Sequence, residues 1–123
     1  MGKARPGKRV IAMRQADVYW LSFPYSDLGG EKHRPALVIS NDGYNRQGDD
    51  IFVCAITTNL SKRPFSVPLE PKDFSEGSLP LPSRVRCDKI MSVEKGLLYK
   101  KAGRVSDAKF GQVGRQLALL IAR

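Results

Sequence analysis

Residues 35–40 read Pro-Ala-Leu-Val-Ile-Ser, and residues 51–57 read Ile-Phe-Val-Cys-Ala-Ile-Thr. Both runs are apolar, of strand length and rich in β-branched residues, which predicts two strands covered on both faces. Because proline is tolerated at the start of a strand, Pro35 should stand at the first position of its strand. The polar residues 41–50 between the runs predict a loop.

Further strands are predicted on either side of this pair. Residues 18–23 are aromatic and apolar and end at Pro24, which predicts a first strand. The other predicted strands are 65–69, an edge strand because it contains Pro68, then 83–90, and a short strand within 97–105. Segments 26–33 and 71–82 contain glycine or proline and predict loops, the first of them mobile.

The last part of the chain predicts one helix. Ser106 suits an N-cap and Asp107 the positive first turn. Apolar residues then recur at helical spacing: Phe110, Val113, Leu117, Leu120 and Ile121. Five or six short strands followed by a helix predict a mainly β fold, a small and partly open antiparallel barrel.

Size and charge narrow the functional classes. The chain has 123 residues and 41% hydrophobic content, enough for one core and one domain. Residues 1–13 are basic and aperiodic and predict a flexible extension before a domain over 14–123. The formal net charge of +9 favours a polyanionic partner, with nucleic acid ahead of an acidic protein.

Several classes are excluded by composition. No apolar run approaches the length of a membrane span, and the apolar part of the N-terminus is too short for a secretory signal. Cys54 and Cys87 lack metal-ligand spacing and are expected to be buried, reduced thiols, which fits the cytoplasm. With His33 as the one histidine, we expect no metal site, and no nucleotide-binding motif predicts a cofactor.

Two groups of polar residues are candidates for chemistry. Alternation along 83–90 puts Arg84, Arg86 and Asp88 on one face of the strand. This face is either a solvated surface or a site at which Arg86 binds phosphate and Asp88 accepts a proton. Arg34 stands where the predicted loop meets an apolar strand, and Thr57 and Thr58 end the next strand. Threonines there are usually packing or turn residues, and His33 alone is expected to be an exposed loop residue.

Four segments, in this order and at these separations, resemble the MazF/PemK/Kid toxins of prokaryotic toxin–antitoxin modules. They are 17–20, 34–42, 55–58 and 85–90, and the resemblance extends over residues 14–123. It implies a barrel of the MazF/CcdB type, a homodimer, and a metal-independent, sequence-selective endoribonuclease inhibited by a cognate antitoxin.

The resemblance also implies site residues. In the MazF branch the catalytic pair corresponds to Arg34 and Thr57, and in the Kid branch the proposed acid and base correspond to Arg86 and Asp88. Arg84, Thr58 and Lys32 are the candidates for further RNA contacts. The sequence departs from the family at His33, where relatives often have a small residue, and in lacking the earlier loop histidine of the Kid branch.

The expected mechanism is attack of a ribose 2′-OH on the adjacent phosphorus of single-stranded RNA, which requires no metal ion. Arg34 and Thr57 would stabilise the phosphorane, and Asp88 would take the proton because a guanidinium does not release its own. Two alternatives are a CcdB-like toxin that binds gyrase without catalysis, and a catalytically silent nucleic-acid-binding barrel. The acidic antitoxin is expected to fold across the basic groove.

Overall fold

The computed structural model describes residues 12–25 and 30–123 and contains seven strands and two helices within them. The strands are β1 (Asp17–Tyr25), β2 (Gly30–Val38), β3 (Asp50–Thr57), β4 (Ser66–Leu69), β5 (Phe74–Gly77), β6 (Ser83–Glu94) and β7 (Leu98–Val105). The helices are α1 (Asp42–Gln47) and α2 (Asp107–Leu120), and 3-10 turns occupy Pro71–Asp73 and Lys95–Leu97.

All seven strands belong to one sheet in the order β4-β6-β3-β2-β1-β7-β5. Every described pairing is antiparallel. The two shortest strands, β4 and β5, lie at the two ends of this order and do not pair with each other in the described part of the chain, so the sheet forms a half-barrel rather than a closed barrel. The predicted mainly β fold with a C-terminal helix is confirmed.

Strand β2 begins earlier than the sequence predicts. It starts at Gly30, so Pro35 lies inside the strand opposite Trp20, and the expectation that Pro35 opens the strand is wrong. Pairing with β3 begins only at Ala36, so up to Pro35 this side of β2 is an edge where proline is tolerated. Lys32 and His33 consequently lie on a strand rather than in a loop.

A bulge interrupts the pairing of β3 with β6. Cys54 pairs with Ile90 while its neighbour Ala55 pairs with Arg86, so residues 87–89 have no counterpart on β3. Cys87 is fully buried as predicted, and so is Val85. Alternation along 83–90 would also allow Ile90 to face inward, but beyond the bulge Ile90 is 44% exposed. Bulges redirect side chains and often lie beside functional sites.

Two further elements were not predicted. Residues 41–50, expected to form a loop, contain α1, whose N-cap Asn41 accepts a hydrogen bond of 2.8 Å from the backbone N–H of Tyr44. Residues 71–82, also expected to form a loop, contain β5, which pairs with β7. Both elements are short, and neither has an apolar periodicity that would predict it.

The apolar residues form two clusters on the two faces of the sheet. The larger cluster lies under α2 and includes Val18, Leu37, Val67, Val85 and Val113. The smaller cluster is built from Tyr19, Leu21, Ala36, Val38, Ile51, Val53, Val93 and Met13. Met13 is 8% exposed, so this last residue of the predicted extension belongs to the packed domain; residues 1–11 lie outside the described part of the chain.

Helix α2 begins as the sequence predicts. The Ser106 hydroxyl accepts a hydrogen bond from the backbone N–H of Lys109 at 3.1 Å. Phe110, Val113 and Leu117 pack against the larger cluster, whereas Ile121, just past the helix, is 79% exposed. Within residues 12–25 and 30–123, no helix has the length and apolar character needed to cross a membrane.

Candidate active site

Arg34 and Thr57 lie on neighbouring strands at one end of the smaller apolar cluster. Pairing of β2 with β3 begins at Ala36, which lies opposite Ala55. Arg34 lies two residues before Ala36 and Thr57 two residues after Ala55, so both lie just beyond the paired residues. On its other side Thr57 pairs with Arg84 of β6. The sheet therefore places Arg34, Thr57 and Arg84 on three neighbouring strands, β2, β3 and β6.

A groove of about 390 Å³ runs between these strands, and we call it the arginine groove. Its lining includes Leu21, Arg34, Thr57, Arg86, Lys89 and Met91. Three of these side chains are cationic, and no acidic side chain of the described residues belongs to the lining. A phosphodiester in this groove would meet positive charge together with a hydroxyl, over an apolar floor of Leu21 and Met91.

Arg86 and Asp88 form a two-point ion pair beside the arginine groove. The Nε atom of Arg86 donates to Oδ1 of Asp88 at 2.9 Å, and Nη2 donates to Oδ2 at 3.1 Å. The Arg86 hydrogen bonds, with a smaller contribution from the charge of Arg63, lower the pKa of the Asp88 carboxyl below its ordinary value. Asp88 is thus held as a carboxylate, and the same bonds raise the pKa of Arg86.

Two other polar side chains near the groove have local partners. The Thr57 hydroxyl accepts a hydrogen bond of 3.1 Å from the backbone N–H of Asn59, which fixes the turn after β3. Arg84 donates from Nε to the Ser66 hydroxyl at 3.0 Å, which ties β6 to the edge strand β4. Thr57 therefore has the turn role expected for a threonine at this position, and the same residue lines the arginine groove.

A second groove, of about 230 Å³, adjoins the first; we call it the proline groove. Arg34 and Thr57 line both grooves, and Trp20, His33, Thr58 and Pro80 line the second one. A third groove, of about 400 Å³, contains Trp20, His33, Pro80, Tyr99 and Lys100, and we call it the tyrosine groove. Shared residues therefore connect the three grooves into one depression.

The predicted site residues are only partly brought together. Arg34, Thr57, Arg86 and Thr58 line the arginine or the proline groove. Asp88 lines none of the three grooves and reaches them through its ion pair with Arg86. The predicted RNA contacts Arg84 and Lys32 also lie outside the three linings.

Other lining residues were not singled out from the sequence. Lys89 lies in the bulge of β6 and lines the arginine groove. Arg63, in the segment before β4, lies outside the three linings but is close enough to Asp88 to lower its pKa. Both residues belong to basic segments whose sequence is typical of ordinary solvated surface. Nothing in the sequence was a reason to select Pro80 or Tyr99. Both reach the groove only because the fold brings together segments that are far apart in the chain.

The two cysteines are free and buried. Desolvation is the main cause that raises the pKa of Cys54 to about 12 and that of Cys87 to about 11. Thiols held protonated in this way are poor nucleophiles. Within the described residues no group of three His, Cys, Asp or Glu side chains is arranged as a set of metal ligands.

Comparison with solved structures gives close matches along nearly the whole fold. An endoribonuclease from a mycobacterial species is 28% identical, with 89% of this chain and 90% of that chain covered and a TM-score of 0.70. A mycobacterial endoribonuclease in complex with its cognate antitoxin is 26% identical, with 91% and 99% covered and a TM-score of 0.74.

The fold recurs at lower identity as well. MazF in the MazE–MazF complex from Deinococcus radiodurans is 22% identical, with 90% and 97% covered and a TM-score of 0.75. A family model described as PemK-like, MazF-like toxin of type II toxin–antitoxin systems matches residues 14–121. The chain therefore belongs to the PemK-like, MazF-like toxin family, as its sequence motifs predicted.

Proposed function

We propose that this endoribonuclease toxin cleaves single-stranded RNA without a metal ion, by attack of a ribose 2′-OH on the adjacent phosphorus. The observation that carries the proposal is the arginine groove, which Arg34 and Thr57 line together and to which Arg86 and Lys89 add positive charge. Because the attacking hydroxyl belongs to the substrate, the protein has only to orient it, stabilise charge and move protons. The products would be a 2′,3′-cyclic phosphate and a 5′-OH.

Arg34 and Thr57 are suited to stabilising the phosphorane. The Arg34 guanidinium is on an exposed residue and forms no ion pair with a described residue, so none of the described carboxylates competes with RNA for it. A guanidinium binds two phosphate oxygens at once, and a hydroxyl adds a donor to a third. Thr57 can supply that donor because its oxygen accepts, rather than donates, in the bond with Asn59.

Asp88 is our candidate for accepting the 2′-OH proton, through an exchange of partners. An RNA phosphate that enters the arginine groove competes with Asp88 for the Arg86 guanidinium. When the phosphate takes a nitrogen of Arg86, one oxygen of the Asp88 carboxylate is released next to the bound nucleotide. As the bond between phosphorus and the 5′ oxygen breaks, Lys89 or Arg34 balances the charge of the leaving oxygen, which takes a proton from water to become the 5′-OH.

Incubation of the purified protein with a long RNA in EDTA tests the proposal. Discrete fragments with 2′,3′-cyclic phosphate ends are expected from single-stranded regions, and a fully paired RNA of the same sequence should resist cleavage. The matched controls are Arg34→Ala, expected to be inactive, and Arg46→Ala, an exposed arginine of α1 outside the grooves. Absence of fragments with wild-type protein would favour a gyrase-binding toxin or a silent nucleic-acid-binding barrel.

We also propose that the toxin is a cytoplasmic homodimer inhibited by an acidic, partly disordered antitoxin. Large apolar side chains remain exposed on β3, β6 and the end of α2, among them Phe52, Ile90, Leu119 and Ile121. Such residues favour burial against a second copy. Sedimentation at micromolar concentration should give twice the 13.7 kDa chain mass, whereas a monomer would contradict the proposal.

The antitoxin proposal rests on charge. With a net charge of +9 and a cationic groove, the toxin favours an acidic chain that folds across the groove and competes with RNA. Its binding should weaken as salt rises.

A further inference from the structure

A pair of stacked aromatic rings lies at the far end of the depression from the arginine groove. The rings of His33 and Tyr99 have centroids 4.2 Å apart and planes inclined by 13°. Tyr99 remains 59% exposed, so most of this aromatic surface faces solvent rather than the core.

The pair is continuous with the proposed catalytic residues. His33 directly precedes Arg34 in β2, and both line the proline groove. Trp20, His33 and Pro80 line the proline groove and the tyrosine groove together, and Lys100 adds a cation to the latter. An RNA strand with one phosphate at Arg34 and Thr57 would therefore have a neighbouring nucleotide beside these rings.

We propose that His33 and Tyr99, with Trp20, form a stacking subsite for an unpaired base next to the scissile phosphate, an inference that rests on the proposed ribonuclease function. Every base has a flat face that stacks on aromatic side chains, so such a subsite strengthens binding with little sequence preference. Lys100 supplies the charge that a backbone phosphate of the same nucleotide needs. The subsite selects for unpaired RNA, because a base inside a duplex has no free face.

A second aromatic pair in the molecule provides a contrast. Tyr44 and Phe52 have centroids 5.4 Å apart but planes tilted by 35°, and Tyr44 is 40% exposed. Tyr44 lines a depression with Asp49, Asp50 and Glu94, which would repel a phosphate backbone. Both aromatic pairs are thus exposed. Among the described residues, however, only the pair of His33 and Tyr99 lies next to a cationic groove.

The test first maps one cleaved bond in a long RNA and then uses a short oligonucleotide around it. Tyr99→Ala should raise KM about tenfold, the effect of losing one stacked base, while kcat changes less than about threefold. Tyr99→Phe should restore the wild-type KM because it keeps the ring. Tyr44→Ala, the matched control, should leave KM and kcat unchanged.

Abasic substitution identifies the stacked nucleotide. At one position near the cleaved bond, removing the base should raise KM for wild-type protein but cause no further rise for Tyr99→Ala, since both changes remove the same contact. Tyr99→Leu, which keeps apolar volume without a ring, should behave like Tyr99→Ala and guards against a folding defect. Unchanged KM in both variants, or additive effects at every abasic position, would overturn the proposal.

Binding without cleavage separates this inference from the proposed function. Oligonucleotides with 2′-O-methyl sugars cannot be cleaved by internal attack, and 2-aminopurine placed at successive positions loses fluorescence when it stacks. Quenching at one position by wild-type protein and by Tyr44→Ala, but not by Tyr99→Ala, supports the subsite even if the protein cleaves no RNA. The absence of quenching at every position would overturn the proposal. A Tyr99→Ala variant that binds RNA normally but has lost affinity for the antitoxin would also overturn it, because the rings would then bind a protein partner.

Discussion

Arg86 donates to both carboxylate oxygens of Asp88, from Nε at 2.9 Å and from Nη2 at 3.1 Å, on the bulged segment of β6. The guanidinium that should receive an RNA phosphate is therefore already occupied by the carboxylate that should receive a proton. Phosphate and carboxylate present the same geometry to an arginine, so the substrate can displace the internal partner. Binding and proton transfer are consequently coupled through one side chain.

Removing the charge of Asp88 should separate these two roles. Asp88→Asn keeps size and hydrogen bonding but removes the base, so cleavage should fall at least about 10²-fold. Affinity for RNA should rise slightly, because Arg86 loses its competing partner and a negative charge leaves the groove edge. Single-turnover cleavage and filter binding measure the two quantities; weaker binding with normal cleavage would exclude Asp88 as the base.

The lowered pKa of Asp88 predicts the pH dependence of cleavage. A base acts when it is deprotonated, and the carboxyl titrates below its ordinary value of 3.8, so Asp88 is ionised across the neutral range. The acid limb of kcat/KM, which reports the free enzyme, should therefore lie below about pH 4, with circular dichroism showing that the fold persists. An acid limb well above that range would mean that a group other than Asp88 is the base.

Arg34 provides a direct test of the arginine groove. Arg34→Ala should abolish discrete cleavage without loss of stability, because the residue is exposed and lies outside the buried part of β2. Activity within about threefold of wild type would remove Arg34 from transition-state stabilisation, since a tenfold change corresponds to only about 1.4 kcal/mol. Arg34→Lys should recover little, because an ammonium cannot bind two phosphate oxygens in one plane.

Much of the fold was predictable because its signals are local. The apolar run of β3 and the Ser106 cap each depend on residues a few positions apart, and both are found as predicted. The start of β2 and the presence of β5 depend instead on pairing with β1 and β7, which periodicity within one segment does not reveal. The bulge at 87–89 similarly depends on how β3 aligns with β6.

The residues of the candidate site also fall into those that could be predicted from local sequence and those that could not. Arg34, Thr57 and Arg86 were selected from strand ends and alternation, and the structure gathers them at one groove. The stacked pair of His33 and Tyr99 joins residues that are far apart in the chain, across the strand between β2 and β7. A lone histidine before an arginine gave no reason to connect it with a tyrosine of the last strand.

The edge of the sheet gives a stability prediction with its own control. A Cβ atom at Gly103 would lie 2.4 Å from the carbonyl oxygen of Glu76, and at Gly96 it would meet nothing within 4 Å. Gly103→Ala should destabilise the protein by about 1–3 kcal/mol through displacement of β5, whereas Gly96→Ala should leave Tm nearly unchanged. Thermal unfolding measures both, and equal Tm values would show that the pairing of β5 with β7 adjusts without cost.

The hydroxyl of Thr57 distinguishes the two possible catalytic pairs. Thr57→Val is nearly isosteric but lacks the hydroxyl, so the rate should fall about 10²- to 10³-fold if that group donates to the phosphorane. The same change also removes the acceptor for the Asn59 N–H, and a Tm measurement shows whether the turn after β3 survives. Thr57→Ser is the matched control, because it keeps the hydroxyl that accepts the Asn59 N–H, and it should retain most of the activity.

The comparison with Asp88→Asn then assigns the chemistry. A severe effect of Thr57→Val together with a severe effect of Asp88→Asn supports the division of labour proposed above, with charge stabilisation at Thr57 and proton transfer at Asp88. A severe effect of Thr57→Val with a mild effect of Asp88→Asn would mean that Arg34 and Thr57 carry the reaction. In that case the ion pair of Arg86 and Asp88 only orients the arginine that binds the phosphate.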